Sequence, residues 1–254
     1  MNTPSPEQYA ARGFFPNGLI QPPGSFRFSM DALLLASFAV RHCLPEGRGA
    51  RVLDLGCGCG AAGLACLLAR EDAVVLGVDC FPELTRAAAE NAALLGVAER
   101  YASRALDLEE AACRETLPRW QCDVVIANMP YRAPGSGRLP ASPVRRKALF
   151  AGPGTVSAFV RSAAQALRPD GCFALVHPWK TRGALFTVLE TEGFSHRTVL
   201  PVLGTPGKPL LCLVRMESGT AGTGSRELPA LVLRHSGGVY SGEALAFCPW
   251  LGRA

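Results

Sequence analysis

No Cys-x-x-Cys pair occurs among the 10 cysteines of this 254-residue chain, and it holds only 4 histidines. That absence removes the usual zinc knuckle, and the histidines suggest no metal or acid–base cluster, so no metal is expected. No apolar stretch reaches the roughly 20 residues a membrane-spanning helix needs; the longest, such as Asp31–Val40, fall well short. A basic region followed by an apolar core is also missing at the N-terminus, which leads us to expect a cytoplasmic protein without membrane attachment. Cys66, Cys172 and Cys212 lie inside apolar segments and are expected as small buried fillers rather than disulfide partners. Cys57 and Cys59, inside a glycine turn, are too close together for a zinc site.

Negative charge is absent over one long stretch. From Val124 to Pro169 there is no acidic residue, whereas Arg132, Arg138, Arg145, Arg146, Lys147, Arg161 and Arg168 all fall there. The net charge of +5 is only mildly basic, so this distribution is more informative than the total. A polyanion such as RNA would be drawn to such a surface, with Arg132, Arg138, Arg145, Arg146 and Lys147 as contacts; a solvated loop of ordinary arginines is the plainer alternative. With 48% hydrophobic and 19% charged residues, the chain has the composition of an ordinary globular protein able to bury a substantial core. We expect an N-terminal extension with a helix over 1–45 and one main domain over 46–254.

What is present is an alternation of strand and helix patterns. After a Pro-rich start, Ser29–Val40 has helical character with Ser29 as a cap. Arg51–Leu55 reads as a buried strand, Ala61–Arg70 as an Ala- and Leu-rich helix, Ala73–Val78 as the next strand, and Pro82 opens a helix that Gly96 stops. Strand signal returns at Tyr101–Leu106 and Asp123–Ala127, followed by a helix over Thr155–Leu167, a strand over Cys172–His177 and a helix over Arg182–Glu192. Parallel neighbours need crossover helices, so this order predicts an α/β, doubly wound, Rossmann-like parallel sheet. His196–Leu203 and Leu210–Met216, joined by a Gly- and Pro-containing turn, are expected to pair antiparallel at its edge. Ser218–Ser225 reads as a flexible loop and Leu231–Arg234 as a last short strand.

Two segments carry chemistry. In Val52–Gly60, glycines at 56, 58 and 60 follow the first strand and let backbone approach a ligand at its carboxyl end. With Ala61 the same letters fit GxGxxA, which leaves a dinucleotide as a rival. Asp54 stands where a dinucleotide strand is normally apolar, and a carboxylate there suits the ammonium of S-adenosylmethionine. Asp79 ends the second strand and suits ribose hydroxyls in either cofactor. Asp107 is placed to accept from the adenine amine with Leu108 on the same edge, or merely to cap a surface turn; Cys80 and Phe81 suit the adenine face, or simply fill the core.

The second segment is Asn128 Met129 Pro130 Tyr131, where an apolar strand ends in an amide, a proline and a ring. The Asn128 side-chain carbonyl and the backbone carbonyl of Met129 or Pro130 can accept both hydrogens of an NH2 group, while Tyr131 stacks on its plane. Hydride transfer requires no such site, so the pair of segments favours a methyl donor beside an amine acceptor. Phe28 and Asp31 are candidates to close the pocket from the N-terminal helix.

On these residues the chain resembles the class I S-adenosylmethionine-dependent methyltransferases. Asn128–Tyr131 resembles the Asn-Pro-Pro-Tyr motif of enzymes that methylate adenine N6, glutamine N5 or guanine N2, and Gln21–Ala36 is similar to the opening of the bacterial valine-tRNA adenine-N6 methyltransferase family. The resemblance implies a seven-stranded sheet, catalysis at Asn128, Pro130 and Tyr131, and methylation of a tRNA adenine near the anticodon. Protein glutamine methylation, rRNA guanine methylation and a noncatalytic RNA-binding scaffold are the alternatives. Met129 departs from the motif's first proline, and Ala148–Ala151 departs from the family's usual run after the basic residues.

Overall fold

Strands as short and apolar as Arg51–Leu55 and Cys122–Ala127, buried over almost every residue, must be covered on both faces. The computed structural model describes residues 3–117, 120–132, 140–152, 154–218 and 224–253. Helices α1 (Pro6–Phe14) and α2 (Met30–His42) lead into β1 (Arg51–Leu55), α3 (Ala61–Ala69), β2 (Val74–Asp79), α4 (Pro82–Leu94) and β3 (Tyr101–Ala105). Then come α5 (Ala111–Arg114), β4 (Cys122–Ala127), α6 (Pro143–Leu149), α7 (Thr155–Ala166), β5 (Leu167–Pro178) and α8 (Arg182–Thr191). The chain finishes with β6 (Phe194–Leu203), β7 (Leu211–Ser218), β8 (Ser225–Glu227), β9 (Leu231–Val232) and α9 (Gly242–Phe247).

The strands form one sheet in the order β3-β2-β1-β4-β5-β7-β6-β8, with β9 also on β6. Strands β1 to β5 are mutually parallel, and β7 runs antiparallel between β5 and β6. The expected seven strands are thus present, and the sheet counts nine because two short segments add in parallel to β6. Strand alternation sorts side chains into two cores: Val52, Val124, Ile126 and Ala174 face α2, α3 and α4, while Leu53, Val125, Phe173 and Val214 face α7 and α8.

Helix α2 is buried continuously from Ala32 to Ala39, which explains why its sequence is apolar on every side rather than striped. Helices α1, α5, α6 and α9 escape the sequence reading. In α1, Ser5 and Gln8 form a reciprocal capping box, and Arg12 Nε donates to the Leu95 carbonyl at 2.8 Å, tying the helix to the end of α4. In α6, the Ser142 hydroxyl caps a short helix with Pro143 at its first turn. Among the described residues no helix is long and apolar enough to cross a membrane.

Because the chain steps outward from β1 to β2 and β3, then returns to the other side of β1 for β4, a crevice opens between the carboxyl ends of β1 and β4. Both chemical segments leave the sheet there.

Candidate active site

The turn after β1 is built by backbone bonds and a carboxylate on each side. The Gly56 and Cys57 N–H groups both donate to the Val78 carbonyl, at 2.8 and 2.9 Å, so the loop doubles back over β2. Gly56, Gly58 and Gly60 have φ of 70°, 55° and 89°, the left-handed region that favours glycine. Their surroundings differ. A Cβ on Gly56 would press on the Phe159 ring of α7 and one on Gly60 would press on Ala88, Leu64 and Tyr101, whereas one on Gly58 would meet nothing within 4 Å. Gly58 therefore presents bare backbone to the cleft, and Gly60 serves the packing behind it.

Asp54 is buried, and its Oδ2 accepts the Gly63 N–H at 2.9 Å, holding the start of α3 against the turn. Burial pushes its pKa up to about 7 against the opposing effect of that hydrogen bond. Asp79 accepts from Gly58 N–H and Phe81 N–H, both at 3.0 Å, and burial likewise raises its pKa. Cys57 and Cys59 are buried thiols whose pKa burial raises, Cys59 to about 11, so neither adds charge at neutral pH. All nine described cysteines are free.

Asp107 binds Lys147 Nζ at 2.6 Å and accepts the Glu109 N–H at 3.0 Å. Burial opposes ionisation of Asp107, but the lysine and the amide outweigh it and its pKa falls below the ordinary value. Lys147, one of the expected phosphate contacts, is turned by α6 into the cleft wall, while Arg145 and Arg146 stay exposed on the same helix. Arg132 is exposed and joins the chain after α6 through a parallel bridge to Phe150. Arg138 lies outside the described residues. Arg168 ion-pairs with Asp123 at 2.9 Å at the amino end of β4, and Arg161 pairs with Glu192 at 3.1 Å, so the basic run is divided among several elements.

Asn128, Met129, Pro130 and Tyr131 form the opposite wall of one cleft with Asp54, Gly56, Gly58, Asp79, Cys80, Phe81, Asp107 and Leu108. The Asn128 amide has no protein partner among the described residues. Met129 is 2% exposed and packs into the core beneath α7, which accounts for an apolar side chain where the motif has a proline. Tyr131 meets the His177 ring edge-on, centroids 6.2 Å apart. His177 is buried, accepts or donates at Nε2 with the Thr181 hydroxyl at 3.1 Å, and stays neutral because burial lowers its pKa to about 4.

Phe28 and Asp31 line the cleft from the start of α2, as expected, and Phe26 joins them. Sequence reasoning missed His177, Phe159, and the Thr155 hydroxyl that donates to Glu109 Oε1 at 2.6 Å. The lone clue to His177 was its position at a parallel strand's carboxyl end.

A methyltransferase domain model matches residues 46–199, more than half of the sequence. The chain belongs to the methyltransferase-domain family. This methyltransferase is 31% identical over 167 residues to the release factor glutamine methyltransferase of Salmonella typhimurium, covering 63% of the chain and 56% of that enzyme. The corresponding Cereibacter sphaeroides enzyme is 33% identical over 161 residues, 61% of the chain and 56% of its own length. The matches thus span about half the length of those relatives. Among solved structures, a predicted O-methyltransferase of Agrobacterium tumefaciens superposes with a TM-score of 0.68 at 22% identity, over 89% of this chain and 97% of that one. An S-adenosylmethionine-dependent O-methyltransferase of Thermotoga maritima gives 0.53 at 16% identity, over 77% and 68%. These two establish the fold.

These relatives are named for glutamine methylation and do not support the expected likeness to the tRNA adenine-N6 family. The donor is S-adenosylmethionine, and the cleft fits it: bare Gly58 backbone, a carboxylate at the end of β2, and apolar Phe81 and Leu108 beside Asp107 offer a surface for a ribose and a purine.

Proposed function

We propose that this methyltransferase transfers a methyl group to the side-chain amide nitrogen of a protein glutamine, with a translation release factor as the substrate to test first. The observation that carries the reading is the Asn128 amide, without a protein partner among the described residues, beside the Pro130 backbone and the Tyr131 ring in one cleft with the glycine turn. Support for glutamine over adenine comes from the relatives' names and from the division of the basic run among Asp107, Asp123 and Glu192.

An amide nitrogen is a poor nucleophile because its lone pair is delocalised into the carbonyl. Asn128 Oδ1 and the Pro130 carbonyl accept its two N–H bonds, hold the nitrogen pyramidal and stabilise the positive charge that develops there. Tyr131 lies flat on the amide plane and excludes water. Asp79 holds the donor's ribose, Asp107 and Leu108 its adenine edge, and Asp54 its ammonium. S-Adenosylmethionine, when bound, supplies a methyl carbon activated by its attachment to a sulfonium. Positioning then provides much of the remaining acceleration.

Incubation with methyl-labelled donor, once with a release factor and once with unmodified total RNA, tests the reading. Label is expected in the protein, lost about 100-fold or more in Asn128→Ala while donor affinity stays within a few-fold. Label confined to RNA, recovered as N6-methyladenosine, would replace glutamine with adenine as the acceptor.

A further inference from the structure

Attaching a methyl group to an NH2 nitrogen leaves one proton in excess, and the reaction has to give it a destination. Most carboxylates of the cleft are already engaged. Asp54 accepts from Gly63 N–H, Asp79 from Gly58 and Phe81 N–H, Asp107 from Lys147, and Glu109 from the Thr155 hydroxyl. Asp31 differs. It sits in the first turn of α2, half-buried in the cleft wall, with only Ser29 and its own backbone amide as partners and no ion pair among the described residues. It is also on the acceptor side, because its negative charge reaches the Tyr131 hydroxyl, adding to burial in raising that group's pKa.

We propose that Asp31 is the catalytic base that takes the proton released from the acceptor nitrogen. The inference rests on the N-methyl transfer reading but holds for an amide or an aromatic amine alike. The nitrogen lone pair forms the N–CH3 bond, the carbon–sulfur bond breaks with its electron pair left on sulfur as a neutral thioether, and one N–H then leaves its Asn128 or Pro130 acceptor and gives its proton to an Asp31 oxygen. The resulting carboxylic acid returns its proton to water when product leaves. Burial, the largest influence on Asp31, raises its pKa and makes it a better proton acceptor than an exposed carboxylate. The four carboxylates named above, with Tyr131, Lys147 and the thiols of Cys57, Cys59 and Cys80, are the titratable groups that line the cleft with it from the other elements.

The test compares wild type, Asp31→Asn and Asp31→Glu on whichever acceptor the wild type methylates, with thermal melting to verify the fold and calorimetry to measure donor affinity. For Asp31→Asn the expected result is unchanged donor Kd, kcat lowered about 100-fold or more, and loss of the acid limb seen in the wild-type pH profile of kcat. Asp31→Glu should restore part of kcat together with that limb. Full kcat at saturating donor in Asp31→Asn would overturn the assignment while leaving the acceptor reading intact. A defect lying wholly in donor Kd would overturn it too and make Asp31 a counter-charge to the donor's ammonium. If wild type methylates neither protein nor RNA, the acceptor reading fails and this assignment fails with it.

Discussion

At the scale of single residues, the site is controlled by what burial does to carboxylates. Asp54 titrates near 7 in the free protein because its carboxyl is desolvated, with one hydrogen bond from Gly63 too little to offset the loss of water. Its folded-state pKa lies above the unfolded value of about 3.9, so the native protein binds the extra proton between those values. The free protein's stability from this group is fully present below pH 4 and declines as pH rises through 7. An ammonium placed against Asp54 reverses the preference by favouring the carboxylate. Donor affinity is therefore expected to increase from pH 6 to 8, with up to one proton released on binding at pH 6, measured by calorimetry in buffers of different ionisation enthalpy. Asp54→Asn keeps an acceptor for Gly63 N–H and should abolish that release; an unchanged release would place the titrating group elsewhere.

At the scale of elements, α6 divides the basic residues into two kinds. Lys147 points at Asp107 and keeps it ionised, while Arg145 and Arg146 face solvent. Replacing Lys147 by Met should weaken donor binding about two- to fivefold, the worth of a partly exposed ion pair, whereas Arg145→Ala should leave it unchanged. Equal effects of the two substitutions, read by titration calorimetry, would contradict the pairing. The strands and long helices were legible because their periods are unambiguous: Arg51–Leu55 forms β1 with the expected bounds, and Pro82 and Thr155 open α4 and α7 as expected. Helix α1 was hidden by prolines at its entry, and α6 by a run of like charges that reads as a loop. β8 has only three residues, too few for a period to show, whereas β9 at Leu231–Val232 falls inside the short strand expected over Leu231–Arg234. Of the site, the glycine turn and Asn128–Tyr131 could be read because each follows an apolar strand. Asp107–Lys147 and Tyr131–His177 are tertiary pairs, separated along the chain, and no local pattern announces them.

At the scale of the whole molecule, sequence charge and surface charge part company. The acid-free stretch from Val124 to Pro169 looks like one basic face on paper, yet β4, α6 and α7 carry its residues to different places. Arg168 pairs with Asp123 at the amino end of β4, opposite the carboxyl end where Asn128 sits. That dispersal, with the relatives named for glutamine methylation, is why we propose a protein rather than a nucleic acid as the acceptor. The single sheet with its switch between β1 and β4 is what brings donor and acceptor segments together, although about 70 residues separate them in sequence. The most direct test of the account is fragmentation mass spectrometry of a release factor after incubation with the enzyme and S-adenosylmethionine. It predicts one methyl increment located on a glutamine side chain, absent with Asn128→Ala. An unmodified factor alongside methylated adenosine in RNA would contradict it.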